Sequence, residues 1–352
     1  MKLSRPRRPG RALAALAVVA LLSALARGVW VNGVFSGVTP GFSGSCKTLS
    51  NLPGVQDMET ASGTVFLSVA SAHGPGNADG IYAMPLAGGS PVKLAGGPKD
   101  FHPRGIGLYR APGTDTMLLY AVNRRSTGRF SIDSFEVTQT GGAPALVAQG
   151  TIQSGLLINP QDVAVAGPNL FYVANGTAGS NVLIHGLQTY GIIPGGNVLY
   201  FNGTSFSALA DGLYGTRSLV LTPKGDHLIV GGLLSRSLTT FTREPFTGAL
   251  TEDGTLVLPA GPEKLSVDAQ GQLRVAGHAN LLDWRAMTTD PLRRAASQIL
   301  RVSLLNGVPQ AAEQVYGNDG SQIAGASVGV SVGNHLLIGS SLDGRLLDCT
   351  SK

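Results

Sequence analysis

The chain of 352 residues exceeds one average domain of about 150 but fits a single large all-β or α/β-barrel domain. Glycine occupies 49 positions and charged residues only 13%, against usual shares of ~7% and ~25%; with hydrophobics at 43%, disorder and a low-complexity scaffold are excluded. The net charge of +5 sits on the leader: Lys2, Arg5, Arg7, Arg8, Arg11 and Arg27 put +6 into the first 30 residues, and the remainder holds 20 basic against 21 acidic residues, which excludes a nucleic-acid-binding face.

Residues 1–26 read as a targeting segment, with a cationic start, RPRRPGR, ahead of the apolar run Ala12–Ala26. Fifteen residues are short for a membrane span of about 20. Ala24, Leu25 and Ala26 form an A-x-A site, so one reading is a signal peptide cleaved after Ala26. The other is an uncleaved signal anchor over residues 12–35, with Arg27 snorkelling toward head groups. Arg7 and Arg8 form a twin arginine, but the following PGRALA does not suit that signal. Both readings export the chain, to a secreted or extracytoplasmic place, with membrane contact only through this segment if it is retained. Residues 27–45 then form a linker, and 46–352 a single domain.

Cys46 and Cys349 are the two cysteines, and they bracket that domain. In an oxidising compartment they are expected to pair, closing 304 residues (349 − 46 + 1) and stabilising by roughly 5 kcal/mol in the chain-entropy model. Between them one pattern recurs: an alternating apolar strand, a Gly or Asn turn, and a second strand rich in Val, Leu and Ile. The units begin at Met58, Gly105, Asp162, Ser218, Lys264 and Ser327, separated by 47, 57, 56, 46 and 63 residues. Six units of about 51 residues each predict an all-β, six-bladed β-propeller closed by a disulfide between the chain ends.

In a propeller the first strand of each blade lines the axis, so residues at its start converge on one mouth of the channel. Here they are Gln56, Asp57, Arg104, Gln161, Asp162, Arg217, Glu263, Lys264 and Ser327, and a ligand site is expected among them.

From Cys46 to Cys349 the sequence resembles the paraoxonase and arylesterase family, six-bladed calcium-dependent hydrolases. The resemblance is carried by PGVQDMET, FHPRGIG, LLYAVNR, LLINPQDVAVAGPNLFYVAN, SLVLTPKGDHLIVGGLL, KLSVDAQGQLRVAGH, AEQVYGNDGSQIAGASV and LLIGSSLDGRLLDC. It implies one structural calcium on Asp57, Asp162 and the Ile106 carbonyl, hard oxygen donors of the kind calcium takes; the alternative is that Lys264 or an arginine neutralises the aspartates. The family's catalytic calcium has one glutamate, one aspartate and three asparagines, and the matching positions here are Gln56, Gln161, Arg217, Glu263 and Lys264. Side-chain charge there moves from −2 to +1 and oxygen-bearing side chains fall from five to three, so this second calcium is expected to be absent. Two histidines near the family's metal correspond to Arg104 and Arg124, and a protonated arginine is no general base.

What remains is a cationic mouth. Gln56, Arg104, Arg124, Gln161, Arg217 and Lys264 form a candidate site for an anionic ligand, because guanidinium groups suit carboxylates and phosphates. The alternative is a salt-bridged plug, Arg217 to Glu263 and Lys264 to Asp162. Glu263 and His278 are the remaining catalytic candidates for an ester or lactone hydrolase of altered mechanism; a non-catalytic binding protein is the competing class. The G-x-S-x-G match around Ser327 lacks the helix a nucleophile elbow needs. His73, His102, His185, His227 and His335 show no metal-ligand spacing. GPGNADG reads as a hairpin turn, and Asn175 and Asn202 open N-G-T sequons.

Overall fold

The computed structural model describes residues 9–72, 76–86, 88–140, 143–177, 181–268, 270–290 and 292–351. Lys2, Arg5, Arg7, Arg8, His73 and the start of the GPGNADG turn lie outside them. The six hairpins are the inner halves of six four-stranded antiparallel sheets. Blade 1 comprises Val55–Ala61, Thr64–Val69, Gly80–Pro85 and Val92–Lys93; blade 2, Pro103–Arg110, Met117–Arg124, Phe130–Thr140 and Ala143–Ile152. Blade 3 comprises Pro160–Gly167, Leu170–Asn175, Gly196–Asn202 and Phe206–Leu213, and blade 4, Thr216–Leu221, His227–Gly232, Ser237–Arg243 and Leu250–Val257. Blade 5 is Gly261–Val267, Leu273–His278, Ser297–Leu305 and Val308–Asn318.

Blade 6 closes the ring with both ends of the chain. Ala326–Val332, His335–Ser340 and Arg345–Ser351 supply three strands, and Gly44–Asn51 is added as the outermost. Cys46 lies opposite Cys349 in that last pairing and the two are joined as a disulfide. The edge strand of blade 6 is thus an early segment held by backbone pairing and one covalent bond.

The cores lie between adjacent blades, because each sheet twists so that its apolar faces meet its neighbours. Phe66, Ile81 and Ala83 of blade 1 pack with Ile106, Leu119 and Phe135 of blade 2. Tyr120 and Val122 of blade 2 pack with Val163, Phe171 and Phe201 of blade 3. The six inner strands touch in sequence around the axis, blade 6 returning to blade 1.

Among the described residues three helices stand apart from the sheets: α1 (Pro9–Val31), α2 (Val182–Thr189) and α3 (Leu281–Thr289). The last two fall between the second and third strands of blades 3 and 5, and Asn181 and Asn280 cap them by accepting backbone N–H bonds. α1 runs through Ala26 without a break, and Ala12–Val31 is long and apolar enough to cross a membrane, with mean hydropathy 2.1. Its end rests on the propeller: Arg27 donates to the Gly191 carbonyl, and Val31 is buried with Leu233, Leu234 and Leu281. Part of the expected linker therefore belongs to the folded body.

Candidate functional site at the channel mouth

A shared backbone irregularity explains why residues from different blades face the axis together. At the entry of an inner strand, strict alternation would send one of two adjacent side chains away. Here the pairing register shifts between Val55 and Asp57, Pro160 and Asp162, Thr216 and Ser218, Pro262 and Lys264, and Ala326 and Val328. The extra residues of these bulges are Gln56, Gln161, Arg217, Glu263 and Ser327. A bulge leaves its extra residue unpaired and bends the strand, which frees Gln161, Arg217 and Glu263 to meet at the mouth. Blade 2 shifts between Pro103 and Ile106, which frees Arg104 and Gly105. A Cβ at Gly105 would strike Asp162 and the Gln161 carbonyl, so only glycine lets blade 2 approach blade 3 this closely.

Two layers of polar contacts result. In the deeper one Lys264, buried with its partners, sets its Nζ 2.9 Å from Asp162 Oδ1, 3.4 Å from Asp57 Oδ2 and 2.9 Å from the Gln161 carbonyl. Asp57 also accepts from the Met58 and Ile106 amides, both at 2.9 Å, and Asp162 from those of Val163 and Leu219. Burial pushes both aspartates up against the opposing pull of Lys264. It also works against the Lys264 ammonium, but Asp162 and Asp57 more than offset it and hold that group above its usual value.

These residues as placed do not fit a resident calcium on Asp57, Ile106 and Asp162. An ammonium stands between the two carboxylates, and Ile106 turns its amide N–H toward Asp57. Calcium takes six to eight oxygens at about 2.3–2.6 Å, whereas the contacts here belong to an N–H donor.

The outer layer centres on Arg217. Its Nε donates to Glu263 Oε1 at 2.8 Å, its Nη2 lies 2.7 Å from the same oxygen, and its Nη1 donates to Gln161 Oε1 at 2.9 Å. Burial would raise Glu263; the Arg217 guanidinium, aided by the adjacent His278, instead drives it down to about 2. At neutral pH that carboxylate is ionised and committed to Arg217.

Glu263 should therefore stabilise the fold most above its unfolded value near 4.5, and that contribution should vanish as pH falls toward 2. The span is about 3 kcal/mol. Thermal unfolding from pH 6 to 3 checks it: the double variant Arg217→Gln/Glu263→Gln should show a shallower acid slope than the native chain.

The remaining expected residues divide. Arg104 Nη1 donates to Asn159 Oδ1 and the Pro160 carbonyl, at 3.2 and 3.3 Å, with its guanidinium over the Phe130 ring. Burial first, then repulsion from Arg217 and Arg124, pulls Arg104 down to about 9, and neither contact is a carboxylate. Arg124, exposed at the end of its strand, lines a cleft of about 270 Å³ with Ser71, Asp79, His102 and Arg125. Gln56 turns to the Ala70 carbonyl. His278 is 1% exposed, stacked on Trp284 at 4.9 Å, with Nε2 3.6 Å from Glu263 Oε2. Both His278 ring nitrogens and that oxygen lack hydrogen-bond partners. Ser327 Oγ is buried and donates to the Val55 carbonyl, tying blade 6 to blade 1.

Three contributors were not found from sequence. Asn159 anchors both Arg104 and Gln161. Trp284, on α3, covers His278 and lies under Arg217; Asn280, two residues beyond His278, was a helix-cap signal for that element. His102 joins Asp79 through Nδ1 at 2.7 Å and Asp100 through Nε2 at 3.2 Å, a pairing across blade 1 and the entry to blade 2.

The sequence profile named Arylesterase matches residues 27–350. The chain belongs to the arylesterase family. It is 27% identical to serum paraoxonase/arylesterase 2 of Bos taurus over 251 residues, covering 71% of this chain and 68% of that protein. It is 26% identical to the Homo sapiens protein of the same name, with the same coverage. It is also 28% identical over 266 residues to mechanosensory abnormality protein 6 of Caenorhabditis elegans, covering 71% and 66%. Among solved structures, a putative gluconolactonase superposes with TM-score 0.52 at 14% identity, covering 90% of this chain and 98% of that one. A luciferin-regenerating enzyme gives 0.54 at 10%, covering 88% and 95%. At such identities these structures speak for the fold alone. Within the arylesterase family this chain has a mouth of guanidinium and ammonium groups.

Proposed function

We propose that this arylesterase-family propeller is an exported protein that binds a small anionic molecule, a carboxylate or phosphate, at its channel mouth, and has given up calcium-dependent ester hydrolysis. The observation that carries the reading is Arg104: a half-buried guanidinium, repelled by Arg217 and Arg124, whose hydrogen bonds go to Asn159 and the Pro160 carbonyl and not to a carboxylate. Glu263 is the acid that acts on Arg104, and Arg217 already holds it. An anion at the rim would relieve that imbalance, and an arginine fork suits planar oxyanions. The matching calcium set of Gln56, Gln161, Arg217, Glu263 and Lys264 supports the loss of the catalytic metal, because two of its members are cations held by hydrogen bonds.

A second reading, hydrolysis of an aryl ester or lactone, draws on Glu263 Oε2 and His278, which face each other without partners. Burial of His278 under Trp284 counts against it. The location rests on α1 and the disulfide, which suit an extracytoplasmic protein. The exposed Val182 and Leu183 of α2 and Tyr190 at its C-terminal cap lie near the α1 docking point at Gly191, which supports a membrane-proximal mouth if α1 is retained.

Titration calorimetry with benzoate and with inorganic phosphate tests the site. Binding should weaken at least about tenfold, the usual scale for a lost charged hydrogen bond of ~1.5 kcal/mol, in Arg104→Met and Arg124→Met. A panel of aryl esters and lactones should show no turnover that depends on calcium. Turnover abolished by a chelator would overturn the proposal.

A further inference from the structure

We infer that Lys264 is an internal cation that performs the bracing of a central metal ion, so that the fold of this arylesterase-family propeller does not depend on calcium. The inference concerns the deep layer and stands whether or not an anion binds at the mouth.

The geometry is that of a saturated ammonium. An ammonium has three N–H donors, and Nζ has three oxygens: Asp162 Oδ1, Asp57 Oδ2 and the Gln161 carbonyl. The bulge between Pro262 and Lys264 lets Glu263 and Lys264 both serve the axis although they are adjacent, so blade 5 supplies a carboxylate to the outer layer and an ammonium to the inner one. Replacing that ammonium by an ion would require the Lys264 side chain to leave a position where it is 5% exposed. A buried cation stripped of its partners is strongly unfavourable.

The contacts also do mechanical duty. Asp57 of blade 1 accepts from Ile106 of blade 2, and Asp162 of blade 3 from Leu219 of blade 4. Lys264 of blade 5 joins these two halves. Ser266 donates to the Gly329 carbonyl of blade 6, and Ser327 of blade 6 to Val55 of blade 1. Each inner strand is thereby tied to another by a side chain, with the ammonium linking blades 1, 3 and 5. A monovalent centre built into the chain cannot be removed by dilution or chelation.

Thermal unfolding of the native protein with EDTA and with millimolar calcium chloride, alongside elemental analysis of dialysed protein, tests this directly. Substoichiometric calcium and an unfolding temperature moved by neither reagent are expected. One calcium per chain, or a fall of several degrees in EDTA, would overturn the inference, and this readout needs no variant to fold. Lys264→Ser supplies the complement: it opens space between Asp57 and Asp162, should unfold at lower temperature, and should regain several degrees on adding calcium, while magnesium, which resists dehydration, should restore less. A folded Lys264→Ser protein as stable as the native one, indifferent to calcium, would also overturn it, since the ammonium would then brace nothing.

Discussion

Replacing Cys46 and Cys349 with alanine is expected to lower the free energy of unfolding by up to roughly 5 kcal/mol, the largest single effect anticipated for this chain. The bond closes a loop with a sequence separation of 303, and a long loop loses the most chain entropy when its ends are tied. Its place amplifies the effect. Gly44–Asn51 is an edge strand that pairs with Arg345–Ser351, and without the bridge backbone bonds, local packing and the Lys47–Asp348 ion pair are left to hold the two strands together. Urea unfolding with and without dithiothreitol, followed by amide exchange, measures it. The midpoint should fall on reduction, and protection should be lost first in Gly44–Asn51 and its partner. Coincident curves would show that pairing alone closes the ring.

Arg217→Ala should destabilise by about 3–5 kcal/mol, because it leaves Glu263 buried, ionised and without its guanidinium partner. The same change frees Gln161 Oε1 and uncovers one face of Trp284. Most of the loss should return in Arg217→Ala/Glu263→Gln, where no charge is stranded, although the smaller residue leaves a gap. Chemical unfolding of the two variants beside the native protein separates the pair from simple packing. If the single variant is as stable as the native chain, Arg217 and Glu263 do not form the central element of the mouth.

The ring and its closure were legible because they depend on period and composition. Inner strands such as VAVAG and FYVAN alternate or run apolar because they are pressed between neighbouring blades, and their turns need glycine or asparagine, as at Asn169, which adopts φ 57°. The cysteine pair was legible from its position. Most residues assigned to the mouth could be read as a set because they stand at strand entries, Arg124 at the far end of its strand being the exception, and both ion pairs of the plug were among the alternatives. The contacts each side chain makes were not legible, because its direction at a bulge depends on local register, and sequence cannot show that Lys264 crosses from blade 5 to reach Asp57 and Asp162. α2 and α3 escaped notice because at 8 and 9 residues they are too short for a clear helical period. With α3 went Trp284, which shields His278, so that histidine looked more available than its burial allows. Val31 escaped for the opposite reason: it lies in an apolar run whose membrane character masked its contacts with Leu233 and Leu281.

The seam in blade 6 also dictates a timetable. Gly44–Asn51 emerges early in synthesis, yet the strand it must join is nearly the last to appear. That segment therefore waits as an unmatched β-edge while five blades assemble, an interval when it is available to wrong partners. The disulfide can form only after Cys349 has arrived, so covalent bonding marks closure of the ring, and a nascent chain stalled short of Arg345–Ser351 remains a fan with one panel unfastened.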